Sequence, residues 1–328
     1  MEYEILDEAI IRALPAGCDV LSVVPHGKTR WSVGLRVDVQ VPSIDQGDDD
    51  EDDEDDDSEQ QFFLKIIERR EWLAMAEAEF EGQKALTQYI PDNVVAPLAW
   101  GLLDSDPSKS FFLTKFRNLR ARCPPLAPFL AILKKLHQTS TSPTGKFGFH
   151  VPTFFGPPPM INDWTESWEH YYARQFASDV SLVQHVHGID AELQALTEQF
   201  MDKVIARLLR PLQTGGRRIR PVLCHGDLWD GNVQIDVDTQ QPIIFDAVCF
   251  YGHNEIDLQC MGDARYVLGM DFVDMYKDEV GASEPQRDFY DRHKMYRMSK
   301  DDMRALLQKY PNGYADFVDD VAAAGLVE

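Results

Sequence analysis

The sequence predicts an α+β protein of two lobes, a small β-rich lobe over residues 1–117 and a larger, mostly helical lobe over residues 118–328. Three observations carry this. The chain has 328 residues, enough for two packed cores. Apolar residues make up 44% of it and aromatics 11%, too many for general disorder. Strand-like alternation crowds the first third, whereas helical spacing dominates beyond Pro124 and Pro125.

In order, "YEILDEAIIRAL" reads as an N-terminal helix, and "CDVLSVVPHGKTRWSVGLRVDVQV" as two β-branched strands with "HGKT" as the turn between them. The run "DQGDDDEDDEDDDSE", Asp45 to Glu59, follows. It buries no apolar surface and repels itself, so it reads as a disordered insertion in a surface loop. It lacks the spaced glycine and terminal glutamate of an EF-hand loop, which argues against a calcium site. "QFFLKIIE" is a third strand, and "EWLAMAEAEFEGQKALTQYI" is a helix that ends at Pro91. "VVAPLAWGLL" and "SFFLTKFR" are two more strands. The second lobe reads as the helices "LAPFLAILKKLHQTS", "DWTESWEHYYARQFASDV" and "IDAELQALTEQFMDKVIARLL", with a helical tail from about Asp288. Set among them is one hairpin, "VQIDVDTQQPIIFD", turning at "DVDTQQP".

The formal net charge is −23, and the chain stays acidic without its insertion. That balance disfavours nucleic acid, whose phosphates need clustered Lys and Arg. The acidic start "MEYEILDEAIIRALPAG" lacks the basic region of a secretory signal, and no apolar run approaches the roughly eighteen residues of a membrane span. The five cysteines are odd in number and include no C-x-x-C pair. They fit a reducing, cytoplasmic compartment, with each cysteine a small core residue rather than a catalytic thiol. Oligomeric state is not legible.

The chemistry concentrates in a few places. Lys65 sits mid-strand between Phe63, Leu64, Ile66 and Ile67, where a charge needs water or a partner. An acid on the next helix meets that need: Glu79, with Glu77 and Glu81 as alternatives one register step away, unless Lys65 simply faces solvent from an edge strand. "LCHGDLWDGN" holds Asp227 and, five positions on, Asn232. Phosphoryl transfer to a hydroxyl needs one carboxylate to orient the nucleophile and accept its proton, and further hard oxygens to hold magnesium. The spacing H-x-D-L-x-x-x-N is that of the kinase catalytic loop. Asp246, closing "PIIFD", adds a carboxylate after the next apolar strand. A lone HGD would be an ordinary turn; the lysine strand, acidic helix, catalytic loop and second Asp in this order are specific. Between the first two strands, Gly27, Lys28 and Thr29, with Ser32 nearby, are candidates to cradle phosphate through backbone amides, against the alternative of a plain hairpin turn, since neither G-x-G-x-x-G nor a Walker A motif is present.

"HGDLWDGN" with "IIFDAVCFYGHNEIDL", "KFGFHVPTFFG" and "NDWTESWEHYYARQ" resembles the fructosamine 3-kinase family, also called ketosamine or ribulosamine kinases, from about Trp31 to about Asp263. The resemblance implies a bilobal protein-kinase-like fold, close to that of aminoglycoside phosphotransferases. It implies ATP-dependent phosphorylation, with Mg2+, of the third-carbon hydroxyl of a ketoamine, small or protein-bound. The phosphorylated adduct breaks down and frees the amine. Matched by position, Asp227 is the base, Asn232 and Asp246 the magnesium ligands, and Lys65 with Glu79 the phosphate-orienting pair. Trp229 is a candidate sugar platform, the alternative being packing under the loop. "FYGHNEID" would line the acceptor side, with His253 and Glu255 as polar contacts. Asp257 would hold the catalytic loop from behind, and His137 would pack beneath it. Three positions depart from the family: Arg30 stands where many relatives have a phosphate-loop cysteine, Ala247 replaces the usual proline, and "HKMYRMSKDDMRALLQKY" lacks the expected Asn/His pattern. Two other readings stay open, a kinase of an aminoglycoside-like or choline-like acceptor and a nucleotide-binding pseudokinase.

Overall fold

The computed structural model describes residues 6–42, 58–156 and 158–317. The chain divides into two compact units, Met1–Arg120 with Asp236–Asp246, and Ala121–Ile235 with Ala247–Glu328.

The first unit is built on an antiparallel sheet. Its elements are a short helix α1 (Glu8–Ile11), strands β1 (Asp19–Lys28), β2 (Ser32–Val41) and β3 (Ser58–Ile67), helix α2 (Ala74–Thr87), and strands β4 (Pro97–Leu102) and β5 (Ser110–Lys115). The sheet order is β1-β2-β3-β5-β4. Leu35, Val37 and Val39 of β2 and Phe62, Leu64 and Ile66 of β3 point to one face and pack with Ile10 and Leu14. Period-two alternation therefore places Phe63 and Lys65 on the opposite face.

Three boundaries differ from expectation. α1 begins only after Asp7, whose side chain accepts from Ala9 N at 2.9 Å and also from Asp104 N and Ser105 N, a helix cap shared with a loop. The first turn falls at Thr29–Trp31 rather than at "HGKT": β1 runs to Lys28, with an irregular register between Pro25 and Lys28. The sequence reading carries disorder through Glu59, but Ser58 and Glu59 pair with Val41 and Gln40 as the start of β3. Residues 43–57, which hold the rest of the acidic run, lie outside the described residues.

After β6 (Leu119–Arg120), the second unit contains helices α3 (Leu126–Thr139), α4 (Trp168–His187), α5 (Ala191–Gln199) and α6 (Ala206–Leu209). The last two are joined by a π-helical stretch, Phe200–Ile205, that buries Phe200, Val204 and Ile205. Strand β7 (Val222–Cys224) precedes the hairpin β8 (Val233–Asp236) and β9 (Pro242–Ile244). Then come β10 (Phe250–Gly252), α7 (Met270–Glu279), α8 (Phe289–Arg297) and α9 (Lys300–Lys309). Asp236–Asp246 belong with the first unit, where Asn93 donates to Pro242 O at 3.0 Å and Arg117 pairs with Asp236 at 3.2 Å. β7 and β10 pair antiparallel and went unread in the sequence, three residues each being too short for a periodic signal. The expected helical tail is two helices, because Met298 takes a left-handed conformation and Ser299 caps α9 through Asp302 N. Among the described residues no helix is long and apolar enough to cross a membrane.

Candidate active site

In the first unit, β3 holds Lys65 between Gly34 of β2 and Phe112 of β5, so its side chain leaves the sheet on the face away from the α1 core. Its Nζ lies 2.7 Å from Glu79 Oε2 and 2.8 Å from Asp246 Oδ1. The register on α2 thus selects Glu79 over Glu77 and Glu81. Asp246 follows β9 with φ 59°, a left-handed conformation rare outside glycine, and its side chain is half-exposed, whereas Lys65 and Glu79 are mostly covered. Burial works against the lysine's charge, but the two carboxylates hold its pKa above the ordinary value. Glu79 is covered, and it shares its one ammonium with Asp246. Burial therefore pushes Glu79 up to about 7 against the pull of Lys65, with the Asp246 charge adding to the rise.

The candidate phosphate loop is more self-contained than expected. Thr29 N donates to Ser32 O at 2.9 Å, and Thr29 Oγ1 accepts from the amides of Trp31 at 3.1 Å and Ser32 at 3.0 Å. The Thr29 amide is therefore spent inside the turn and Ser32 is buried beneath it, which removes both from an amide cradle in this conformation. Gly27 and Lys28 end β1, and Gly27 takes φ 118° with open space where a side chain would stand.

The second unit carries the His225–Asn232 loop. The buried Asp257 accepts from the amides of His225 at 2.9 Å and Gly226 at 2.8 Å. His137 Nε2 lies 3.0 Å from the same carboxylate, and its Nδ1 lies 2.7 Å from Tyr276 OH. Burial alone would raise the Asp257 pKa, but these bonds and the neighbouring histidines keep it below the ordinary value. His137 and Asp257 therefore stand where the sequence reading put them, beneath and behind the loop. With Cys224 they form a buried His–Cys–Asp group within 4.8 Å, whose histidine nitrogens and carboxylate are already engaged in holding the loop.

Gly226 has φ 82°, and a Cβ there would stand 2.3 Å from Val248 O, so the motif admits no other residue at this position. Beyond it, Asn232 Nδ2 donates to Asp227 O at 2.9 Å and to Asp227 Oδ2 at 3.0 Å. Asp227 and Asn232 are thus clasped to each other through the amide nitrogen, which leaves the Asn232 side-chain oxygen out of the clasp. Trp229 is half-buried, and its ring is 5.6 Å from that of Tyr266 at 51°.

His253 and Glu255, expected as polar contacts for the acceptor, are corrected. Both are buried, at 0% and 1% exposure, and internally bonded. His253 Nδ1 lies 2.9 Å from Tyr296 OH and Nε2 lies 2.8 Å from Ser283 Oγ. Glu255 forms a double ion pair with the equally buried Arg292, at 2.7 and 2.8 Å, and accepts from Ser283 N at 2.8 Å. Burial drives the His253 pKa down to about 4, so the ring is neutral. These side chains secure the segment that carries Asp257; they do not face a ligand. Arg292 and Tyr296 went unread, although their i, i+4 spacing on one helix was a signal available in the sequence.

The sequence model of the fructosamine kinase family matches residues 31–307. The chain belongs to that family. Among curated relatives, the chloroplastic protein-ribulosamine 3-kinase of Oryza sativa subsp. indica is 28% identical over 226 residues, which cover 66% of this chain and 61% of that protein. The chain thus spans about three fifths of this relative's length. Solved structures agree on the fold. A Thermobifida fusca protein assigned as a fructosamine-3-kinase superposes with a TM-score of 0.66 at 20% identity, covering 93% of this chain and all of that one. Aminoglycoside phosphotransferase APH(4)-Ia, solved with ADP and hygromycin B, gives 0.54 at 13% identity over 88% of this chain and 94% of that one. The family member described here therefore has the kinase-like α+β fold expected from its motif order.

Proposed function

We propose that the protein is an ATP-dependent kinase of ketoamines, transferring a phosphoryl group to the third-carbon hydroxyl of a ribulosamine or fructosamine adduct, free or on a protein lysine. The observation that carries the reading is the clasped Asp227–Asn232 pair on a loop held by Asp257. In this reading the Asp227 carboxylate orients the acceptor hydroxyl and takes its proton as the new P–O bond forms and the bond to ADP breaks. Lys65, kept charged and placed by Glu79, orients the ATP phosphates.

The donor set suits Mg2+. Asn232 has its amide nitrogen committed to Asp227, which leaves an oxygen, and Asp246 offers a half-exposed carboxylate: both are hard donors of the kind this cation takes. When bound, the ion would neutralise phosphate charge. Asp246 is held by Lys65 in the structure described, and a cation there would compete for that carboxylate.

The test is ATP consumption with magnesium against ribulose-, psicose- and fructose-modified lysine, an aminoglycoside and choline, with Asp227→Asn as the blank. Turnover on a ketoamine that disappears in the blank is the expected result. Turnover confined to the aminoglycoside or choline, or nucleotide binding without any turnover, would overturn the reading.

A further inference from the structure

Side chains of the catalytic loop and the segment 260–269 meet in a way that the function above leaves unused. Trp229 lies over Gly231, where a Cβ would come within 2.2 Å of its ring, so the absence of a side chain at 231 sets the indole's position. Tyr266 packs against the same indole at 5.6 Å. Next to it, Val267 N donates to Asp230 Oδ1 at 2.9 Å, tying the segment to the residue that follows Trp229. Both rings are only half-buried, and Val267 beside them is 69% exposed, so this is not a sealed core contact. Arg265 covers one face of the Tyr266 ring at 5.4 Å and is itself paired with Asp263 at 3.0 Å.

We infer that Tyr266 is a specificity-determining residue: with Trp229 it forms a pre-set aromatic wall beside Asp227 that receives the protonated secondary amine and the adjoining C–H face of the sugar chain, and the Asp230–Val267 bond holds that wall in place. The inference rests on the kinase reading and names what that site selects. A ketoamine presents a cation next to an alkyl-like sugar stem. Aromatic faces attract both, and nearby Asp227 and Asp230 add negative potential. Because the rings are oriented by contacts within the protein, little ordering is left to the moment of binding.

The experiment measures KM and kcat for ribulosyl-lysine and fructosyl-lysine, and KM for ATP, in wild type, Tyr266→Ala, Tyr266→Phe, Asp230→Ala and Asp230→Asn. Thermal melts run alongside to confirm folding. Tyr266→Ala is expected to raise the ketoamine KM about tenfold, the scale of one lost cation–π face, with the ATP KM unchanged. Tyr266→Phe keeps the ring and should stay near wild type. Asp230→Ala should raise the ketoamine KM, and Asp230→Asn should recover part of that loss, since an amide oxygen still accepts from Val267 while the charge is gone. An unaltered ketoamine KM in a folded Tyr266→Ala variant would overturn the wall while leaving the kinase reading intact. If wild type phosphorylates only a different panel amine, the ketoamine reading falls; the wall then stands or falls by whether Tyr266→Ala raises that amine's KM. Calorimetric silence of wild type toward every panel amine would overturn both.

Discussion

Lys65–Glu79 and Arg292–Glu255 are both covered glutamate–cation pairs, and they are built in opposite ways. Lys65–Glu79 is joined by a half-exposed Asp246, so that one cation is shared between two carboxylates. Arg292–Glu255 is sealed, its partners bonded to Ser283, Pro285 and each other. In the open pair one acid reaches solvent, which fits a place where a ligand's charges enter. The closed pair is saturated and has nothing to offer a ligand. Sequence reasoning assigns Glu79 to function as the partner of a lysine in an apolar strand and Glu255 from the place of its segment after Asp246, and neither argument tells an open acid from a sealed one.

The largest effect expected from separating chemistry and scaffold is on turnover. Asp227→Asn should lower kcat about a thousandfold, the scale of a lost general base, while ATP binding by calorimetry is retained. Equal turnover would remove Asp227 from the chemistry. Next, Arg292→Ala should destabilise the fold by about 3–5 kcal/mol in urea melts, since it strands the buried Glu255. Lys65→Met should abolish activity but cost far less stability, because Glu79 can take up a proton. If both variants lost the same stability, the contrast between an open and a closed pair would be wrong.

The pH dependence sharpens the same contrast with opposite signs. His253 has a folded pKa of about 4 against an ordinary 6.5, so the unfolded chain binds a proton first as pH falls. Its contribution is present above pH 6.5 and is lost as pH drops towards 4, up to about 3 kcal/mol at 1.36 kcal/mol per unit. His253→Gln should flatten that slope in a series of melts. Glu79 runs the other way. Its folded pKa of about 7 lies above the ordinary 4.5, so the folded chain holds the extra proton, and stability falls as pH climbs from 4.5 through 7. Glu79→Gln should remove this decline in the nucleotide-free protein, and an unchanged slope would mean that the acid is ionised throughout.

Some of the site was legible because its spacing is enforced locally. Asp227 and Asn232 lie within one turn of chain, short enough to bring the amide onto the carboxylate, and Gly226 marks the loop because no other residue fits beneath Val248. Lys65 was legible as a charge set between apolar neighbours in a strand. The choice of Glu79 among neighbouring acids rested on helix register, and the structure puts its carboxylate 2.7 Å from Lys65. β7 and β10 were missed because three residues carry no period; α7 was missed although Phe272, Val273 and Tyr276 mark its buried face at helical spacing.

By itself, the sequence determined most of the order of elements and the local form of the His225–Asn232 loop, because strand alternation, helix spacing and a short loop are local properties of the chain. Only the tertiary structure decided which charges are open and which are sealed. Burial of His253 depends on Tyr296 and Ser283, 43 and 30 residues downstream, and burial of Glu255 on Arg292, 37 residues downstream. Tyr296 is in turn held by Trp168, whose indole N–H donates to it at 2.8 Å. Whether a polar side chain meets water or a partner is set by what packs over it, and no local pattern carries that information.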